Sequence, residues 1–183
     1  DLYLARILAE RGYETQRTAA QRSRYHRPPS AKMVTDYDLE LVQAVRARDL
    51  AGLARMHAHG RTMDACNKFG ESILHLACRR GHLPTIAFLL AAGANVAISD
   101  DFGRTPLHDC CWTSEKPCFE VIRLLLDRDL GLLRVVDRRG STPLAYVRKD
   151  DWGWWCAFFD HVKDEYWAPK SQCPAETAAQ YAE

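Results

Sequence analysis

Four side chains able to hold a soft metal crowd one short stretch: His108, Cys110, Cys111 and Cys118 fall within eleven residues. Imidazole and thiolate are the donors that structural zinc takes. The same stretch, Pro106-Leu107-His108-Asp109-Cys110, sets a base, an acid and a thiol side by side, the ingredients of an activated cysteine nucleophile. The spacing argues against both. Consecutive side chains diverge around a helix, so neighbouring donors do not close on one ion. A nucleophile, its base and an orienting acid must converge in a pocket, yet the Cys, His and Asp residues here recur at periodic positions or lie in the tails. Glycine-rich phosphate cradles and paired metal-binding histidines are absent from the sequence. The expectation is a non-catalytic chain with no metal and no cofactor.

The elements that carry these residues are legible as repeats. Glu71-Ser72-Ile73-Leu74-His75, Arg104-Thr105-Pro106-Leu107-His108 and Ser141-Thr142-Pro143-Leu144-Ala145 superimpose, each directly after a glycine, at intervals of 33 and 37 residues. A period of this size means stacked supersecondary units. Asn67, Asp100 and Asp137 each precede a glycine by three residues, a turn that an Asx side chain braces and a glycine relaxes. Thr105-Pro106 and Thr142-Pro143 then predict helix starts, with a capping hydroxyl and a proline at the first helical position; Ser72 caps without the proline. Ala77, Cys78, Cys110 and Cys111 are small enough for helices to approach closely, and Leu89-Leu90 and Leu124-Leu125-Leu126 fill the layers between them.

The unit from Asn67 to Val96, with Gly81-His82-Leu83-Pro84 between its two helices, closely resembles the ankyrin repeat. Counting back 33 residues gives Leu41, Ala44, Leu50, Leu53 and Met56, a degenerate first repeat without its turn glycine. Counting forward gives Leu107, Cys110, Ile122, Leu125 and Leu126, then a fourth unit with Leu144, Val147, Cys156 and Phe159. The third unit carries three extra residues around Thr113 to Cys118 and one more near Gly131. The expected fold is an all-α repeat solenoid of about four ankyrin repeats with finger-like turns. Its expected divisions are an N-terminal helix 1–12, a basic linker 13–33, repeats 34–66, 67–99, 100–136 and 137–167, and a flexible tail 168–183.

The resemblance implies a protein-interaction module, an adaptor or scaffold, whose partner lies on a concave surface lined by turn tips and inner helices. At the turn tips stand Lys68, Phe69 and Glu71, then Asp101, Phe102 and Arg104, then Arg138, Arg139 and Ser141; the inner-helix rim holds Arg46, Arg79, Arg80, Trp112 and Lys149. Cations and aromatics are common binding hot spots, so the expected partner is a protein or peptide with acidic or aromatic residues. Each has a plainer reading. Phe69 and Phe102 would pack turn on turn, Arg79, Arg80, Arg138 and Arg139 would form a solvated face, and Trp112 would pack beneath the insertion. The resemblance also gives His75 and His108 a hydrogen-bonding role at the turn, with Ser72 and Thr105 as partners. Ala145 departs from that pattern, so the fourth turn is expected to be looser.

Outside the repeats, Leu4, Ile7 and Leu8 line one side of a short helix ending at Gly12. The arm after it carries Arg11, Arg17, Arg22, Arg24, Arg27 and Lys32 against Glu14 alone, +5 in a chain of net charge +1, so the remainder is −4. That asymmetry predicts an arm lying on its own repeats or on an acidic partner; the helix could also occupy the groove of its own or a second copy. A second reading gives Arg22, Arg24 and Arg27, with Tyr25 and His26, to nucleic acid or another anionic surface. At the other end Trp152, Trp154, Trp155, Phe158, Phe159, Tyr166 and Trp167 predict a buried cap, the alternative being that Trp154 or Trp167 stays exposed to grip a peptide. The chain has 183 residues, 47% of them hydrophobic, and no apolar run near the ~20 residues of a membrane span. Seven cysteines, several of them at small-residue positions of the repeat, suit reduced thiols and an intracellular setting, cytoplasmic or nuclear. The opening at Asp1 is expected of a fragment or processed form, so an organelle signal upstream would fall outside this sequence.

Overall fold

The computed structural model describes residues 2–112 and 116–170. Helix pairs recur in step with the sequence period. α3 (Leu39–Ala47), α5 (Ile73–Arg80) and α7 (Pro106–Trp112) form an inner row; α4 (Leu50–Ala58), α6 (Leu83–Ala91) and α8 (Phe119–Leu126) form an outer one. Leu74, Leu107 and Leu144 are all fully buried, the matching places in successive layers that the register requires. Each helix is short, so its stability comes from stacking an apolar face on its neighbours rather than from propensity.

The turns are built alike. Asp100 Oδ1 accepts from the backbone N–H of Phe102 and Arg104, both at 2.9 Å, and Asp137 Oδ1 from Arg139 and Ser141 at 2.8 and 2.9 Å. Gly103 follows at φ +80°, a conformation open to glycine and costly for other residues. Successive fingers are tied by backbone bonds: Asp101 N–H donates to the Phe69 carbonyl and Arg138 N–H to that of Phe102, both at 2.8 Å.

The fourth unit departs from the expected helix start. Residues Pro143–Tyr146 form only a 3-10 turn, Thr142 makes no capping bond to it, and Val147 is already extended. The histidine that closes the cap in the two preceding units is Ala145 here, so the first turn loses its brace. The 15-residue helix α9 (Trp152–Tyr166) follows and seals the end of the stack. Phe119 of α8 stacks on Phe158 with centroids 4.6 Å apart, and Trp155, 1% exposed, packs edge-on to both. Of the two tryptophans expected as exposed candidates, Trp154 is open to solvent and Trp167 is buried against Phe159.

The stretch read as a linker, 13–33, is built into the molecule. β1 (Thr18–Ala19) pairs in parallel with β2 (Val135–Val136), a 3-10 turn covers Ala20–Arg22, Tyr25 is buried, and α2 (Ala31–Asp36) starts from a Ser30 cap. The Tyr25 carbonyl accepts from Ser99 N–H at 2.7 Å, and Gln21 Nε2 donates to the Asp101 carbonyl at 2.9 Å. The arm thus runs along the fingers against the direction of the repeats. Upstream, α1 (Leu2–Glu10) rests on α9 and not on the inner row, burying Leu4, Ile7 and Leu8. Of the tail expected to be flexible, Ala168 and Lys170 are anchored by Tyr13 Oη and the Arg11 carbonyl. The rest of that tail, 171–183, and Thr113 to Glu115 of the insertion lie outside the described residues.

Candidate functional site

The histidines at matching positions of the second and third units are spent on architecture. Thr105 N–H donates to His108 Nδ1 at 3.0 Å, which fixes that nitrogen as an acceptor and leaves Nε2–H to donate to the Ser141 carbonyl at 3.2 Å. His75 repeats this with Ser72 and the Arg104 carbonyl. Each imidazole therefore joins its own turn to the next finger. Burial lowers the His108 pKa to about 4, so it stays neutral. Burial likewise pushes the Cys78 and Cys111 thiols well up, away from the thiolate that nucleophiles and metal sites need. Among the described residues no group of three or more His, Cys, Asp or Glu is placed to hold an ion.

The inner face is knit from charge pairs and rings. Arg79, at the end of α5, pairs with Glu71 of its own finger and reaches Asp109 Oδ2 of the next helix at 3.3 Å. Asp109 is buried, and burial raises its pKa while Arg79 and Arg104 pull it back. Arg104 donates from Nε and Nη2 to Asp100 Oδ2 at 2.9 and 2.6 Å, with its guanidinium 5.2 Å from the Phe102 ring centre and 5.8 Å from that of Trp112. Trp112 meets Tyr146 at 5.8 Å, and Tyr146 Oη donates to Asp137 Oδ2 at 2.5 Å. Burial and that carboxylate push the Tyr146 phenol up to about 12.

Of the residues expected on this surface, the structure brings Glu71 with Arg79, and Phe102 with Arg104 and Trp112, into two contiguous groups. Arg79 and Arg104 are internally compensated and add little free positive charge. Arg46, Lys68, Arg80, Arg138, Arg139 and Lys149 are exposed, without an acidic partner among the described residues; Lys68 lies 5.0 Å over the Phe69 ring. Asp101 is half-buried. Three large rings stay open: Phe69 is 53%, Phe102 60% and Trp112 56% exposed. Turn-on-turn packing is done by the Phe69 and Phe102 backbones, which frees their rings. Sequence reasoning missed Asp109 and Tyr146. The signal was register: both stand two residues after the repeat leucine, where the second unit has Leu76.

The arm presents less to an anionic partner than its composition suggests. Tyr25 is buried with Oη donating to Asp129 Oδ2 at 2.9 Å, and Arg24 pairs with the same carboxylate at 2.7 Å. Arg11 and Lys32 are also engaged, with Asp164 and Asp36, while Arg22, His26 and Arg27 are exposed.

A family model described as ankyrin repeats in three copies matches residues 41–136. Relatives include fem-1 homolog A-like of Mus musculus, 34% identical over 86 residues, which are 47% of this chain and 12% of that protein. An ankyrin repeat protein of Rickettsia bellii is 30% identical over 136 residues, 60% of this chain and 56% of the other. Human Rabankyrin-5 is 40% identical over 76 residues, 42% of this chain and 6% of its own. The chain thus spans little more than half of one of these relatives and a small part of the others. No described helix is long and apolar enough to cross a membrane. The matched repeats, the recurring finger geometry and the buried register leucines together place this chain in the ankyrin-repeat family, whose repeats are generally non-catalytic protein-protein interaction modules.

Proposed function

We propose that this protein is an adaptor that binds another protein on its inner face, taking an acidic segment that carries an aromatic or aliphatic anchor. One observation supports the reading: Phe69, Phe102 and Trp112 are left more than half exposed, Phe69 beside Lys68, which has no acidic partner among the described residues, and the other two beside Arg104, which Asp100 holds in place. Large exposed rings raise the free energy of an unoccupied surface, and Arg and Trp are the side chains through which interfaces gain most of their affinity. Arg80, Arg138 and Arg139 would meet carboxylates at the rim, which speeds encounter more than it tightens the complex. The finger and helix bonds hold the face in shape, so little reorganisation opposes binding. The free thiols favour a reducing, intracellular setting for this encounter.

Phe102→Ala with Trp112→Ala is the variant that tests it, since both rings are exposed and neither fills the core. Partners captured by the intact protein are identified, and their acidic segments are titrated as peptides. The expected result is at least about a tenfold loss of affinity with an unchanged melting temperature. Equal affinity in the variant removes the inner face from the binding reaction.

A further inference from the structure

Two cavities of about 200 and 70 Å³ flank α1, and they share Leu4, Leu8, Leu133 and Arg134 as walls. The larger is floored by Leu130, Leu133 and Trp167 and opens past Tyr13, Glu14, Arg134 and Lys170. None of these residues belongs to the inner face. Apolar walls that meet normally collapse, because a void forfeits contacts on every side. Here polar ties fix the position of α1 and of the segment after it. Tyr3 Oη donates to Asp160 Oδ2 at 2.5 Å at one end of α1, and Arg11 at the other donates to the Trp167 carbonyl at 2.9 Å and pairs with Asp164 at 2.7 Å. Tyr13 Oη donates to the Ala168 carbonyl at 3.0 Å, and Arg134 Nη1 to the Glu14 carbonyl at 2.9 Å. The first set fixes α1 against α9, and the Tyr13 and Arg134 bonds are made by residues that line the cavity itself.

We propose that this preformed cavity binds a free medium-chain aliphatic carboxylate, with its tail between α1 and the Leu130–Leu133 floor and its head at Arg134 and Lys170. The size fits such a ligand: 200 Å³ lies below the about 300–1000 Å³ of sites for drug-sized molecules. The charge also fits. Arg134 and Lys170 outnumber Glu14 at the mouth, and Arg17 lines the adjoining cavity. Arg134 spends one Nη on the Glu14 carbonyl and keeps further donors in the same plane, while the Lys170 ammonium rests 4.5 Å from the Tyr13 ring centre. A carboxylate between the two gains charge-assisted hydrogen bonds that a neutral head of equal length does not.

The probe is sodium octanoate, titrated calorimetrically into the full chain with butanoate, hexadecanoate and 1-octanol alongside. Saturable octanoate binding is expected, about tenfold tighter than butanoate or octanol, with no further gain for hexadecanoate, whose chain exceeds the cavity. Leu130→Trp, which fills the void from a half-buried position, should abolish it with far-UV dichroism unchanged. Arg134→Gln with Lys170→Gln should weaken octanoate about tenfold and leave octanol unmoved, and this pair keeps the test valid if the tryptophan variant misfolds. Absence of saturable binding overturns the proposal, as does octanoate affinity unaffected by the mouth pair. The inner-face variant Phe102→Ala with Trp112→Ala should bind octanoate as the intact protein does.

Discussion

At the residue scale, the histidines and glycines of the turns carry the sharpest consequences. His108 holds its pKa near 4 against about 6.5 unfolded, so the folded state binds the proton more weakly. Its contribution to stability is complete above pH 6.5 and is withdrawn as pH falls toward 4, reaching about 3 kcal/mol. Nitrogen-resolved NMR should therefore find His108 neutral and protonated on Nε2 at pH 5.5; an imidazole titrating near 6.5 would refute the buried brace. The glycines differ among themselves. A Cβ on Gly103 would sit 3.1 Å from Asp137 Cα and 3.4 Å from Ala20 Cβ, whereas one on Gly140 meets nothing within 4 Å. Both have positive φ, so Gly140→Ala should cost about 1 kcal/mol and Gly103→Ala about 2–3 kcal/mol by urea denaturation. Equal losses would mean that the fourth finger does not stack this closely on the third.

At the scale of elements, the repeat spacing made the middle helices legible because their caps, turn residues and packing positions agree. Ser72 and His75 form a reciprocal cap at the start of α5, and that agreement is visible in residue order alone. The fourth unit was legible in part: Ala145 marked it as looser, but Thr142-Pro143 still reads as a helix start where the structure has only a 3-10 turn. The arm was legible only in part: its charge asymmetry allowed for an arm lying on its own repeats, but not for the strand, turn and buried Tyr25 that seat it there. Its residues look like a basic linker, and the contacts that order it lie about a hundred positions away, as Arg24 with Asp129 shows. Register names the residues at the turn tips and the rim, but the compensation of Arg79 by Asp109 depends on how layers stack, and that of Arg104 by Asp100 on the fold of a single finger. Arg11 illustrates the arm's mechanical role. Its half-buried guanidinium satisfies the Lys163 and Trp167 carbonyls at the end of α9. Arg11→Ala should cost about 1.5–3 kcal/mol and speed amide exchange in α9 before it does so in α5. Uniform exchange changes would argue against a local cap.

At the scale of the molecule, stacked repeats normally contact only their neighbours, so their stability is close to a sum of local terms. Here the N-terminal segment breaks that rule. It joins the last helix to the fingers of earlier units and fixes the spacing of the fingers beneath the inner face. On the proposed reading, such a scaffold would offer a partner a surface that needs little reorganisation, with Phe69, Phe102 and Trp112 exposed on it. The outer helices carry no comparable set of exposed rings.

The contrast between the two faces is the most direct test. A photoreactive phenylalanine analogue is placed singly at Phe102 and Trp112 on the inner face and at Arg55 and Glu120 on the outer helices, then irradiated in cell extract. Discrete protein adducts at 102 and 112, absent at 55 and 120, are the predicted result. Adducts confined to the outer positions, or equal at all four, would contradict the claim that the inner face is where this protein meets its partner.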